Sequence, residues 1–193
     1  FIFSSLYDTK FTISKYIDLE LQNQLLLEEN KNLKKILFNT EVPTLSSDSI
    51  NSMGFEVMTA SVIKNSYSKT NNFITINKGS KDGIGIDNGV ISSKGVVGII
   101  DKTTANYSRL ISILNTNFLL NAKFKNSNYF GVLSWNGKDI NKVQLNDVPK
   151  QAKIKIGDTI VTGGNSLIFP KGILVGYIQS FKLDNSENYL ELE

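Results

Sequence analysis

The chain has 193 residues, 40% of them hydrophobic and 20% charged, with a net charge of +3, ordinary values for one or two folded domains with cores of their own. It contains no cysteine and no histidine. That removes disulfides, thiolate metal sites, the commonest zinc ligand and general base, and every Ser-His-Asp or Cys-His arrangement.

Basic residues are almost all lysine, with Arg109 the one arginine. Sequence-reading nucleic-acid proteins rely on arginine forks for base and phosphate contacts, so nucleic acid is not an expected partner. No apolar run approaches the ~20 residues that cross a bilayer as a helix. The opening Phe1-Ile2-Phe3, with no initial methionine, fits the tail of such a span lying upstream.

Residues 11–37 lack glycine and proline and are rich in Leu, Glu, Gln, Asn and Lys, which predicts helix. A heptad frame places Thr12, Leu19, Leu26 and Leu33 at d, and Tyr16, Asn23, Asn30 and Leu37 at a. Leucine at d with asparagine at a is the pattern of a parallel two-stranded coiled coil, in which buried asparagines select register and oligomer. Glu29 at g and Lys34 at the next e have the spacing of an interhelical ion pair. The expected seam is therefore Tyr16, Leu19, Asn23, Leu26, Asn30, Leu33 and Leu37, within a helical segment over 1–38. The competing reading is one amphipathic helix packed on its own domain, broadened by Leu21, Leu25, Leu27 and Ile36.

Residues 39–54 hold Pro43 and several serines and read as a linker. From 55 onward short β-type runs follow one another: 55–63, 73–77, 89–92, 96–101, 109–114, 120–125, 130–135, 142–145, 154–156, 159–162, 173–183 and 189–192. Turn signals such as Asp87-Asn88-Gly89 and Asn136-Gly137 separate them. The spacing predicts a mainly β fold: an N-terminal coiled-coil helix, then two small antiparallel six-stranded barrels over 55–193. One arrangement makes 71–145 a barrel inserted between 55–70 and 146–193, which form the other.

The most informative stretch lies near the end. Gly157-Asp158 makes a turn, Thr159 to Thr162 is β-branched at every position, and Gly163-Gly164 breaks the run. Phe169-Pro170-Lys171-Gly172 then leads into a strand ending at Gly176. Gly157, Asp158, Gly163, Phe169, Pro170, Gly172 and Gly176 are expected to be structural. Gly172 and Gly176 in particular should resist a side chain, through positive φ or close packing.

Candidate chemistry is sparse. Gly83-Ile84-Gly85-Ile86-Asp87-Asn88-Gly89 has its third glycine one position late for a dinucleotide loop, with no helix following. Ser61-Val62-Ile63-Lys64 has the S-x-x-K spacing of a penicillin-binding nucleophile but alternates as a strand, which puts Ser61 and Lys64 on opposite faces. Asp82, Asp87, Asp101, Asp139, Asp147 and Asp158 sit at or near turns, where capping explains them better than acid/base work or calcium binding. Phe118, Phe124, Tyr129, Phe130 and Trp135 suit core filling, with a sugar-binding platform the alternative. No catalytic, cofactor or metal residue is expected.

The order Gly157-Asp158-Thr159-Ile160-Val161-Thr162, then Phe169-Pro170-Lys171-Gly172-Ile173-Leu174-Val175-Gly176, resembles the closing segment of the rod shape-determining MreC family. The resemblance extends through Ile76-Asn77-Lys78-Gly79-Ser80-Lys81-Asp82-Gly83-Ile84, Gly95-Val96-Val97-Gly98, Ser108-Arg109-Leu110-Ile111-Ser112-Ile113-Leu114 and Val132-Leu133-Ser134-Trp135-Asn136-Gly137. Asn115 departs from the acidic or aliphatic residue often found after that central strand. The resemblance implies a membrane helix, a coiled coil and two β barrels. It implies a non-enzymatic scaffold on the extracytoplasmic side of the bacterial inner membrane that maintains rod shape during cell-wall elongation. Implied partners are a second copy or higher homo-oligomer, a cell-wall transpeptidase (penicillin-binding protein), membrane proteins of the elongation complex, and the membrane through an upstream anchor. The alternative is a periplasmic adaptor of an export pump. Such adaptors carry their coil as an internal hairpin of two helices, and this chain has one helical stretch.

Overall fold

The structure is a computed structural model that describes residues 2–40, 54–164, 166–184 and 188–193, with helix side chains from residue 19 onward. The chain divides into two compact units, Phe1–Thr59 and Ala60–Glu193. The first is built on helix α1 (Ile2–Thr40), which runs past the 11–37 pattern at both ends and two residues beyond the expected 1–38 segment, since no glycine or proline interrupts it. Residues just beyond the undescribed stretch return to its C-terminal turns. The Asn39 side-chain amide donates to the Phe55 carbonyl at 3.0 Å, and the Phe55 N–H donates to Asn39 Oδ1 at 2.7 Å. Lys35 pairs with Glu56 at 2.8 Å. Most of the linker expected over 39–54, residues 41–53, lies outside the described residues.

Among its described residues, the second unit is all β apart from one 3₁₀ turn, Ser80–Asp82. Its first sheet holds β1 (Val62–Asn65), β2 (Asn71–Ile76), β3 (Gly89–Ser92), β4 (Gly95–Thr103) and β5 (Ser108–Asn115), in the order β1-β2-β5-β4-β3. The second holds β6 (Leu120–Phe124), β7 (Phe130–Ser134), β8 (Gln144–Pro149), β9 (Thr159–Thr162), β10 (Leu174–Tyr177), β11 (Phe181–Leu183) and β12 (Tyr189–Leu192), in the order β10-β9-β6-β7-β8-β12-β11. Every pairing is antiparallel.

Two antiparallel sheets after a helix is the expected class, with five and seven strands in place of six and six. The insertion topology is corrected. Residues 62–65 pair with β2 inside the first sheet, and 120–134 belong wholly to the second. The chain thus completes one sheet before starting the other, which keeps connections short. Residues 55–61 and 154–156 are not strand. The run 173–183 is two strands, because residues 178–180 turn away to bond the end of β12: the Gln179 and Ser180 N–H groups donate to the Glu193 carbonyl.

Alternation within the strands sets the cores. In β2 the inward residues include Ile74 and Ile76, which pack with Ile100 and Leu110 and with the half-buried Ile84, Val90 and Val97. In the second sheet Ala122, Leu133, Leu145, Val148, Ile160 and Leu192 are all at most 5% exposed. At ~25 cal/mol per Å2 of apolar surface removed from water, such side chains carry most of the stability.

Polar groups fix the passage between the sheets. Asn72 and Asn115 are fully buried. The Asn115 amide donates to the Asn72 carbonyl at 2.9 Å, the Asn72 amide to the Leu114 carbonyl at 2.7 Å, and the Lys69 N–H to Asn72 Oδ1 at 3.0 Å. An aliphatic residue at 115 would leave the Asn72 carbonyl without that donor. The departure at Asn115 is thus part of a satisfied buried network, tolerable only because each member is paired.

Candidate interaction surfaces

The row expected to form a helix seam comes first. Leu19, Leu26, Leu33 and Leu37 are 55–64% exposed on α1, an apolar row open to solvent among the described residues. The Tyr16 side chain lies outside the described residues. Asn30 donates to the Leu26 carbonyl at 2.9 Å, one turn back on its own helix. Glu28 and Lys31 pair at 2.9 Å across one turn, and the Lys34 ammonium lies 5.8 Å from the Phe38 ring centroid. Leu21, Leu25, Leu27 and Ile36 are exposed as well, so α1 carries apolar residues beyond the seam.

The second surface is the contact between the two sheets, and the Gly157–Gly176 stretch builds it. Phe169, 2% exposed, comes so close to Gly89 at the start of β3 that a Cβ there would lie 2.5 Å from its ring and from the Ile168 carbonyl. Gly95, which opens β4, lies against Leu174 in β10: a Cβ would stand 2.3 Å from the Leu174 carbonyl oxygen. The loop between β9 and β10 therefore crosses from the second sheet onto the first.

Thr162 anchors that loop. It is 1% exposed, its hydroxyl donates to the Pro170 carbonyl at 2.5 Å, and the same oxygen accepts the Ile173 N–H at 2.9 Å. The Gly172 N–H reaches the Thr162 carbonyl at 3.0 Å. Thr162 was not among the residues expected to be structural. Its signal was present all the same: a hydroxyl one position before a double glycine, in a run that otherwise reads as buried. Thr162→Val keeps the shape and removes both hydroxyl bonds, so it should lower unfolding stability by about 1–3 kcal/mol, measurable by urea titration with an unchanged m-value.

The remaining motif residues divide. Asp158 accepts the Lys155 N–H at 2.8 Å and closes its turn, while the Gly157 N–H donates to the Ile178 carbonyl at 2.8 Å. Gly163 lies under the edge of the Phe130 ring, and Gly172 has φ +90°, a conformation that resists any L side chain. The expectation for Gly176 is corrected: a Cβ there meets nothing within 4 Å, because β10 leaves that position open.

Among the described residues the carboxylates form no acid/base constellation. Asp82 accepts from Lys78 Nζ at 2.9 Å and from the Gly79 N–H at 3.1 Å, and those bonds hold its carboxyl below the usual aspartate value. Asp139 caps the Asn141 N–H at 2.8 Å. Asp87 and Asp147 take positive φ at a turn and within β8. Asp101, like Asp147, lies within a strand and departs from the turn reading. It sits within β4 and pairs with Arg109 of β5, whose guanidinium stacks 4.2 Å from the Phe73 ring; bonding to that carboxylate raises the Arg109 pKa above its ordinary value. Among the described residues no group of three or more acidic side chains is placed to hold a metal ion. Lys64 lies in β1 with Ser61 just before it, and β3 follows Gly85-Ile86-Asp87-Asn88 directly. The aromatics divide too: Phe118, Phe124 and Trp135 are core at 2–4% exposed, Tyr129 is half-buried, and Phe130 keeps 37% of its surface.

With the geometry in place, the comparisons with known proteins are specific. The cell shape-determining protein MreC of Listeria monocytogenes is 31% identical over 179 residues, covering 91% of this chain and 57% of that protein. The chain thus spans a little over half the length of that relative. A solved structure of MreC from the same organism matches with a TM-score of 0.66 at 28% identity, over 93% of this chain and 83% of the other. MreC in a complex with the penicillin-binding protein PBP2 from Helicobacter pylori matches in fold, with a TM-score of 0.50 at 17% identity over 62% of this chain and 74% of that one. The family described as "Rod shape-determining protein MreC, barrel core" matches residues 62–193, from the first residue of β1 to the end of the chain, and the protein belongs to that family.

Proposed function

We propose that this chain is a non-enzymatic, extracytoplasmic scaffold of the cell-wall elongation machinery, which maintains rod shape by pairing through α1 and positioning a cell-wall transpeptidase on its β unit. The observation that carries the reading is the match of the whole β unit to the MreC barrel core, in a chain whose relatives are cell shape-determining proteins. The penicillin-binding protein held by MreC in the Helicobacter pylori complex supports the choice of partner. The exposed row Leu19, Leu26, Leu33 and Leu37 supports pairing, because a helix with such a row gains most by burying it against a second copy.

The reading includes attachment to the inner membrane, as membership of the family implies. Among the described residues no helix is long and apolar enough to cross a membrane. The export-pump adaptor loses its ground, since it needs a hairpin of two long helices and the described residues hold one.

The transpeptidase ectodomain, immobilised on a surface, should capture the chain, and absence of capture at micromolar concentrations overturns the partner assignment. Pairing has its own test. Replacing both Asn23 and Asn30 by leucine should strengthen self-association and add trimers or tetramers, since asparagine at a selects the two-stranded form. Sedimentation of a parent that stays monomeric at high concentration, with the double variant unchanged, defeats the coiled coil.

A further inference from the structure

The two units differ in charge. Residues 60–193 hold sixteen lysines and arginines against ten carboxylates, while residues 1–59 hold five against eight. Within the β unit, ion pairs neutralise Lys78, Arg109, Lys142 and Lys182. Among the described residues, Lys123, Lys125 and Lys153 have no carboxylate at ion-pair distance.

These three lysines gather on one side of the second sheet. Ala122 and Phe124 point into the core at 0% and 4% exposed, so Lys123 and Lys125 share the opposite face, about 7 Å apart along the strand. Lys123 is nonetheless only 9% exposed, between its cross-strand neighbours Phe130 and Val161, with its ammonium 6.0 Å from the Phe130 ring centroid. Its stem is what the neighbours cover: no buried side-chain nitrogen lacks a partner among the described residues, so the ammonium reaches water at the edge of the Phe130 ring. Lys125 continues the same row, its N–H bonded to the Thr159 carbonyl at 2.9 Å. Beside it lies a shallow pocket lined by Lys125, Asn126, Ser127, Lys153 and Thr159. The one acid of that lining, Asp158, accepts the Lys155 N–H.

We propose that this face, from Lys123 and Phe130 to the Lys125–Lys153 pocket, binds an acidic polysaccharide. Two ammonium groups at the pocket and a third beside the ring supply charge for carboxylates carried on successive sugars. Ser127, Thr159 and Asn126 supply hydrogen bonds for hydroxyls. The half-exposed face of Phe130 suits the apolar face of a pyranose ring. A lipid surface would call for several apolar side chains projecting beside the lysines; the pocket's one apolar residue, Phe124, is 4% exposed, and Phe130 is a single ring. The proposal is independent of the transpeptidase: it concerns a different ligand and is read by a different assay.

The test uses the whole chain and five probes: oligogalacturonate as the carboxylated glycan, uncharged dextran, a poly-glutamate peptide, inorganic phosphate, and phosphatidylglycerol vesicles. Oligogalacturonate should bind saturably at low ionic strength, and dextran should not. Lys125→Gln with Lys153→Gln should weaken that binding at least about tenfold, from the loss of two charge-assisted contacts. Lys64→Gln with Lys69→Gln, an equal charge change on exposed residues of β1 and the loop after it, should leave it within about twofold, since distant surface charges are screened. Phe130→Ala should weaken the glycan and leave poly-glutamate unchanged. All the exchanged lysines are exposed, so thermal unfolding should match the parent. Equal losses in the two lysine pairs would reduce the effect to net charge and overturn the site. So would poly-glutamate or phosphate binding as tightly as the glycan, or vesicle binding without oligogalacturonate binding.

Discussion

Gly95→Val should be among the most damaging single substitutions in the β unit, costing about 1–3 kcal/mol from backbone strain and about 1–3 kcal/mol more from overpacking. Gly95 has φ +129°, and its missing Cβ would stand 2.3 Å from the Leu174 carbonyl oxygen. The obstacle is backbone, so no side-chain rotation relieves it. Relief requires β10 to move off β4, which would also strain the Phe169 contact at Gly89. The same exchange at Gly176, where a Cβ meets nothing within 4 Å, should stay within about 0.5 kcal/mol. Urea titration of both variants checks the pair. Equal costs at the two positions would mean that the inter-sheet contact contributes nothing to stability.

That comparison also marks what could be read from the residues alone. Gly176 and Gly172 look alike in sequence, each bounding an aliphatic run, yet one is open and the other is held at φ +90°. The difference lies in where the chain goes next, which a local pattern does not contain. Gly89 and Gly95 read as hairpin punctuation. Their close approach is to Phe169 and Leu174, more than seventy residues away, so it could not be read from their own neighbourhood. The helix was legible because its signal is local: no glycine or proline, and leucines at fixed spacing. The β class was legible from turn residues at short intervals. The division into sheets was not, since residues 55–61 alternate like a strand yet have no strand pairing among the described residues, while 62–65 pair with β2. The Asp101–Arg109 pair escaped for a related reason: it spans the β4–β5 hairpin beside a bulge that shifts the register between Ile100 and Lys102. Of the candidate surfaces, the α1 row is exposed at the leucines the heptad picks out, and its pairing is part of the proposal. The lysine face of the second sheet needed the strand order that brings Phe130, Lys123 and Val161 side by side.

Removing the helix should have the largest functional effect. If the chain is a scaffold, the β unit holds the binding surface and α1 contributes by pairing and placing it. Residues 60–193 form a compact unit with their own cores, so a fragment of residues 53–193 should fold and retain the one-to-one affinity for the transpeptidase ectodomain. What it loses is the second site. Two linked sites facing a dense surface can raise avidity by roughly 10²–10⁴ when geometry lets both engage. On a densely coated surface the whole chain should therefore dissociate about a hundredfold more slowly or better, while on a sparse surface the two forms should converge. Density dependence separates this from a direct contribution of α1 to the interface, which would persist when only one site can engage. In cells, the fragment without α1 and an anchor should fail to support rod shape, because the enzyme it binds is no longer held at the membrane. If the isolated helix binds the transpeptidase fully and residues 53–193 do not bind at all, the recruiting surface lies on α1 and the division of labour is the reverse.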